Sequence, residues 1–174
     1  MLLRNYYNIL ATVIMQTSNK EQTLSYVNIN GESVALKESS YADAIIFGVQ
    51  RSTVNPYLGR CTTNYTSSGG VVFGDGDSPV AIDNHVLSGN LLTGFSYSAS
   101  VSNEYDGDGV LTVRALYTIT NTSGADMTIK EIGLFSRAGA YCLLDRTVLD
   151  SPVTIPAGGV GQITYTIRMN HPTV

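Results

Sequence analysis

The chain has 174 residues and a formal net charge of −4, from ten Lys and Arg against fourteen Asp and Glu. Its basic residues are scattered, which argues against the clustered positive face that phosphate backbones need, and no apolar run approaches the ~18 residues of a membrane helix. Charged residues make up 14% and hydrophobic ones 43%, against an ordinary charged share of about 25%, so much of the surface is neutral and suited to packing between subunits.

The opening "MLLRNYYNILATVIMQ" holds an apolar run from Ile9 to Met15, but Asn5 and Asn8 interrupt its approach and no small-x-small cleavage site follows. Leu3, Tyr6, Tyr7, Leu10, Val13 and Ile14 fall at helical spacings and predict a short amphipathic N-terminal α-helix. Then the texture becomes β. "TLSYVNI", Asn30-Gly31 and "ESVALK" predict a hairpin closed by a type I′ turn, which needs two residues tolerant of positive φ. "AIIFGVQ" (residues 44–50) has the length and composition of a buried strand. Arg51 to Gly70 reads as a long loop, a feature that in compact domains usually makes contacts.

"VVF" at 71–73 is a short strand ending in the turn "GDGDSP". Three long alternating segments follow. Phe95, Tyr97, Ala99 and Val101 oppose a row of serines. Leu111, Val113, Ala115, Tyr117 and Ile119 oppose Thr112, Arg114 and Thr118. Ile163, Tyr165 and Ile167 alternate with Thr164, Thr166 and Arg168. Period-2 alternation predicts antiparallel strands with one face in a core and one in water. The turns "DGDG", "NTSGAD", "RAGA" and "PAGG" separate them at sandwich-like spacing. The expected fold is mainly β: an antiparallel β-sandwich, of which a jelly roll is one form, with the short N-terminal helix. A change of texture near Gly69 divides residues 1–70 (helix, hairpin and long loop, as an arm or as part of the same domain) from a sandwich body at 71–174.

One strand breaks the pattern. In "DMTIKEIGLFS", Ile129 and Ile132 have opposite parity and Lys130-Glu131 put two charges among apolar neighbours. A β-bulge at Lys130-Glu131 would restore the phase. Downstream, Asp145 and Arg146 sit within "YCLLDRTVLD", and an ion pair between Glu131 and Arg146 on adjacent strands would satisfy both anomalies. Glu131 as a general acid would need a second carboxylate or a histidine at a set distance, and no such partner is evident, so the pair reads as architectural.

These segments resemble a module common in structural proteins of tailed bacteriophages. The likeness rests on "VVFGDGDSPVAIDNHVL", on "YTITNTSGADMTIKEIGLFSRAG" and on "LLDRTVLDSPVTIPAGGVGQITYTI". It covers about Val71 to Arg168 and leaves residues 1–70 without an assigned motif. The resemblance implies a non-enzymatic virion component assembled in the cytoplasm of a bacterial host, with roles in capsid decoration, the head–tail connector or collar, or a tail accessory. Its partners would be further copies of the chain and other virion proteins, with no nucleic acid or membrane contacted.

Other chemistry finds less support. The "DGD" segments at 75–77 and 106–108 could offer Ca²⁺ hard oxygens, but neither fits an EF-hand and Asp-Gly turns explain both; no cofactor is expected. His85 and His171, the two histidines, belong to no nucleophile-elbow motif. "GGVVFGDG" lacks the Gly-Lys-Ser/Thr ending of a phosphate loop. Cys61 and Cys142 match no paired spacing and read as separate thiols in or near a core. A third class stays open: Tyr57 and Tyr65, in the long loop, could contact a neighbouring subunit or stack on host surface glycan, which would make the protein an adhesin.

Overall fold

A computed structural model describes residues 4–6, 25–35, 60–65, 69–105, 110–136 and 142–170. Among the described residues the chain is mainly β, with two three-stranded sheets, a two-stranded hairpin and very little helix, consistent with the sandwich class. Its strands are β1 (Ser25–Val27), β2 (Ser33–Ala35), β3 (Gly70–Gly74), β4 (Phe95–Tyr105), β5 (Val110–Asn121), β6 (Met127–Ser136), β7 (Cys142–Ile155) and β8 (Val160–Asn170). Two compact units divide it: Met1–Leu92 with Thr128–Val153, and Thr93–Met127 with Thr154–Val174. Of the arm expected over 1–70, most of the helical stripe, the strand at 44–50 and the loop at 51–59 with Tyr57 lie outside the described residues.

The first unit holds the three-stranded sheet β3-β6-β7 and the hairpin β1-β2. Its core cluster is Val72, Leu87, Phe135 and Leu143, with Ile29, Tyr65, Val80 and Leu91 packed against it. Each such apolar side chain taken from water contributes roughly 1.5–3 kcal/mol. Residues 4–6 are helical. There Asn5 is buried, its Nδ2 donating to the carbonyls of Val27 (2.8 Å) and Leu143 (3.2 Å) while its Oδ1 accepts from the Val27 amide.

The hairpin forms where expected, but not on a two-residue turn. Val27 pairs with Ser33, leaving residues 28–32 as a five-residue loop. The Asn28 side chain organises it: its Oδ1 accepts from the amides of Asn30 and Glu32, both at 2.9 Å, and Gly31 takes the positive φ (79°) the reversal requires.

The second unit holds the sheet β4-β5-β8, with β5 in the centre. The alternation of β8 and of the second half of β5 is realised, with Ala115, Tyr117, Ile119, Ile163, Tyr165 and Ile167 all buried; at the start of β5 it is not, since Leu111 and Val113 are half-buried and Thr112, expected on the wet face, is buried. The alternation of β4 is realised only in register. Tyr97, Ala99 and Val101 pair with Ile119, Tyr117 and Ala115 on the same face, yet Tyr97 and Val101 stay 40% and 37% exposed.

Candidate functional site

The break in β6 coincides with a change in how the strand is covered. Opposite β3 the register runs one to one from Glu131 to Phe135, with Phe73 facing Ile132 and Gly74 facing Glu131, and no extra residue intervenes. Ile129 and Ile132 are both buried because the strand is covered on one face as far as Lys130 and on both from Glu131 to Phe135. This change of burial lets both isoleucines be buried whatever their parity.

Covering both faces forces the charge of Glu131 out of water, and the structure brings it to Arg146 on the neighbouring strand β7. Arg146 Nε donates to Glu131 Oε2 at 2.7 Å, with both side chains at most 1% exposed. The rest of the carboxylate is also used. Oε1 accepts from the amides of Gly76 (3.2 Å) and Gly89 (2.8 Å) and from Ser88 Oγ (3.3 Å), and Oε2 from the Ser88 amide (3.1 Å). The guanidinium reaches the other way: Nη2 donates to the Ser78 carbonyl (2.8 Å), and Nη1 to the Pro79 carbonyl (3.3 Å) and to Asn84 Oδ1 (3.0 Å). The pair therefore grips a single loop, residues 75–90, from inside. The anion collects its N–H groups and the cation its carbonyls.

This loop contains the "GDGDSP" turn, and its glycines follow from the grip. A Cβ on Gly76 would run into Ser88 Oγ, the Gly89 amide and Glu131 Oε1, and one on Gly89 into Asp75 Oδ1 and Gly76. Two backbone stretches cross there within reach of one carboxylate, which only residues without a side chain allow. Asp75 ties the neck of the loop, its Oδ1 accepting from the Asn90 amide at 2.6 Å. Asp77 pairs with Lys130 at 3.2 Å on the surface, and Asp83 pairs with Arg4 at 2.6 Å. Among the described residues no group of three or more His, Cys, Asp or Glu is placed to hold a metal; the second "DGD" lies outside them.

The chemistry open to Glu131 follows. Burial by itself pushes its carboxyl up, but the hydrogen bonds from Arg146, Ser88 and Gly89 and the guanidinium charge outweigh it and hold the group below the usual carboxylate range. A carboxylate offers about four lone-pair directions, and five donors already fill them. No oxygen faces solvent or a cleft where a substrate proton could be exchanged, so the arrangement holds backbone in place.

Tyr65 is turned inward. Its ring packs on Phe135 with centroids 5.0 Å apart, and its hydroxyl accepts from the Leu87 amide at 3.2 Å. It is part of the core around the same loop, and its ring is not an exposed platform for a sugar. Cys61 and Cys142 are free thiols; burial pushes the Cys142 thiol up to about 12 and that of Cys61 up as well, so neither is an activated nucleophile.

The second unit has a polar centre that sequence reasoning missed. Asn121, at the end of β5, is completely buried. Its Nδ2 donates to the carbonyls of Ala125 (2.7 Å), Ile155 (2.9 Å) and Pro156 (3.2 Å), and its Oδ1 accepts from the amide and hydroxyl of Ser123. Its backbone amide donates to the Gly159 carbonyl, and its carbonyl accepts from the Gly158 amide. One side chain thus joins the "NTSGAD" turn to the "IPAGG" turn. The missed signal was an Asn placed where an apolar residue of the alternation was due.

No protein-family model, curated protein or solved structure matches the chain.

Proposed function

We propose that the protein is a non-enzymatic structural subunit of a tailed-phage virion, working by packing against copies of itself and other virion proteins. Capsid decoration, head–tail connector or collar, and tail accessory are the places such a subunit would occupy. One observation carries the reading: the residues on which the sequence resemblance rests are the ones consumed in fixing backbone. The Gly-Asp-Gly-Asp turn, Glu131 of "IKEIGLF" and Arg146 of "LLDRTVL" make the first polar centre, and the Asn-Thr-Ser turn and "VTIPAG" approach make the second. A motif spent on scaffolding is what a building element needs, because its work is to hold loops and edges at fixed positions for neighbours. The adhesin reading loses one of its two tyrosines, since Tyr65 is committed to the core.

Light scattering combined with imaging of the purified chain tests the proposal. The expected result is a closed oligomer, threefold for a decoration or fibre role and sixfold or twelvefold for the neck or tail. Single molecules at high concentration, or turnover of a substrate, would overturn it.

A further inference from the structure

Asn30-Gly31 does not close its hairpin as a two-residue turn; it forms the tip of the loop 28–32. Asn30, Gly31 and Glu32 are all exposed there. Asn28 is fully engaged beneath them: its Oδ1 holds the amides of Asn30 and Glu32, and its Nδ2 donates to Glu32 Oε2 at 2.8 Å. The Asn30 carboxamide, in contrast, makes no hydrogen bond among the described residues. Gly31 has φ 79°, and its amide donates to the Asn28 carbonyl at 2.9 Å.

An asparagine followed by glycine is open to a reaction of its own. The glycine nitrogen can reach the preceding side-chain carbonyl and close a five-membered ring, since no Cβ crowds the approach. The step needs a group to take the amide proton, and one stands beside the tip. A Cβ built on Gly31 would lie 3.6 Å from His85 Nε2 and 4.0 Å from its Cε1, which puts the imidazole within one water of the Gly31 amide, the reach a general base requires. His85 is held in that place from both sides. Asn84 Oδ1 accepts from Arg146 Nη1 (3.0 Å) and from the Ala81 amide (2.7 Å), and Leu87 is part of the core cluster. The grip on loop 75–90 thus presents a base to the hairpin.

We propose that Asn30 is a self-modification site, deamidating through a succinimide with His85 as the base. The Gly31 amide lets go of Asn28 and passes its proton to His85, directly or through a water, while its nitrogen bonds to Asn30 Cγ. The Cγ–Nδ2 bond then breaks, and that nitrogen leaves as ammonia with the proton from the imidazole. Water opens the ring. Attack at Cγ gives aspartate; attack at the main-chain carbonyl gives isoaspartate, whose backbone runs through the side-chain carbon. Both products place a new carboxylate near Glu32. Isoaspartate also lengthens the chain between the two amides that Asn28 Oδ1 holds, so those bonds cannot both persist and the hairpin tip loosens. The proposal is independent of the assembly reading.

Peptide mass spectrometry gives the test. Trypsin cutting after Lys20 and Lys37 releases residues 21–37, which contain both Asn28 and Asn30. In the full folded chain, incubated in mildly alkaline buffer and sampled over time, Asn30 should convert with release of ammonia, and an isoaspartate methyltransferase should label the product. Asn28, in the same peptide, should stay intact. H85Q cannot accept the proton and should slow conversion by about tenfold or more. Free imidazole should accelerate H85A by a larger factor than it accelerates the wild type, which a purely structural histidine would not produce. A folded wild type that keeps Asn30 while the urea-unfolded chain converts would overturn the site. H85Q and H85A both converting at the wild-type rate would overturn the role of His85.

Discussion

The two units solve one problem with opposite chemistry. Each must hold turns that have too few backbone partners of their own, since buried N–H and C=O groups left unpaired cost free energy. The first unit uses a charged pair, Glu131 and Arg146, to grip a long loop through many single contacts. The second uses one neutral amide, Asn121, to join two short turns. A long irregular loop presents N–H groups on one side and carbonyls on the other, and a split pair of opposite charges reaches both. Two adjacent turns present their donors and acceptors within one amide's span, so no ionic charge has to be buried.

That contrast can be broken from the charged side first. Arg146→Ala leaves the Glu131 carboxylate buried beside an empty site, and Glu131→Ala does the reverse; each should destabilise by about 3–5 kcal/mol in denaturant unfolding. Amide exchange in residues 75–90 should rise more than in β8. The double variant should cost clearly less than the sum of the two, because the second truncation removes a charge the first had stranded. Strict additivity would mean that the two side chains act separately. Next in size, Asn121→Ala should cost about 1–3 kcal/mol by stranding the carbonyls of Ala125, Ile155 and Pro156, with faster exchange in the two turns it joins.

Acid separates the two designs without mutation. The folded pKa of Glu131 lies below its unfolded value, so its contribution is complete above the ordinary glutamate range near 4.3 and is lost as pH falls through the folded value. Loop 75–90 should therefore lose protection in acid before the turns around Asn121 do, and Asn121→Ala should show the same destabilisation at pH 7 and pH 5. Equal acid sensitivity of both regions would show that the charged pair carries no pH-dependent share. Smallest of all, Val160→Thr at a 63% exposed position of β8 should stay within about 0.5 kcal/mol, giving the baseline against which the polar centres are measured.

Much of this was legible in the sequence where a rule depends on neighbours along the strand. Alternation in β8 and in the second half of β5 marked their buried faces, and two charges inside apolar runs marked Glu131 and Arg146 as residues needing each other. What escaped depends on neighbours across space. The exposure of Tyr97 and Val101 depends on what packs over that face of the sheet, which no local pattern records. The burial of β6 on both faces from Glu131 to Phe135 was not legible either, because a parity break in a string of apolar residues does not say how many faces are covered. The hairpin turn was misjudged because Asn-Gly is a strong local signal, while Asn28 controlled the loop from two residues earlier. Gly76 read as a turn former, and its steric necessity, like that of Gly89, is visible only where the two backbone stretches cross over Glu131.

The order of strands along the chain sets when the protein can become solid. Both three-stranded sheets draw their third strand from the C-terminal stretch, β7 for one and β8 for the other, and both units are stitched from two separated segments. During synthesis the ribosome releases only two-stranded ribbons until that stretch emerges, and such ribbons are marginal in water. Neither unit can be cut out as a contiguous fragment that folds alone. The sheet of the second unit is consequently incomplete until β8 has been synthesised.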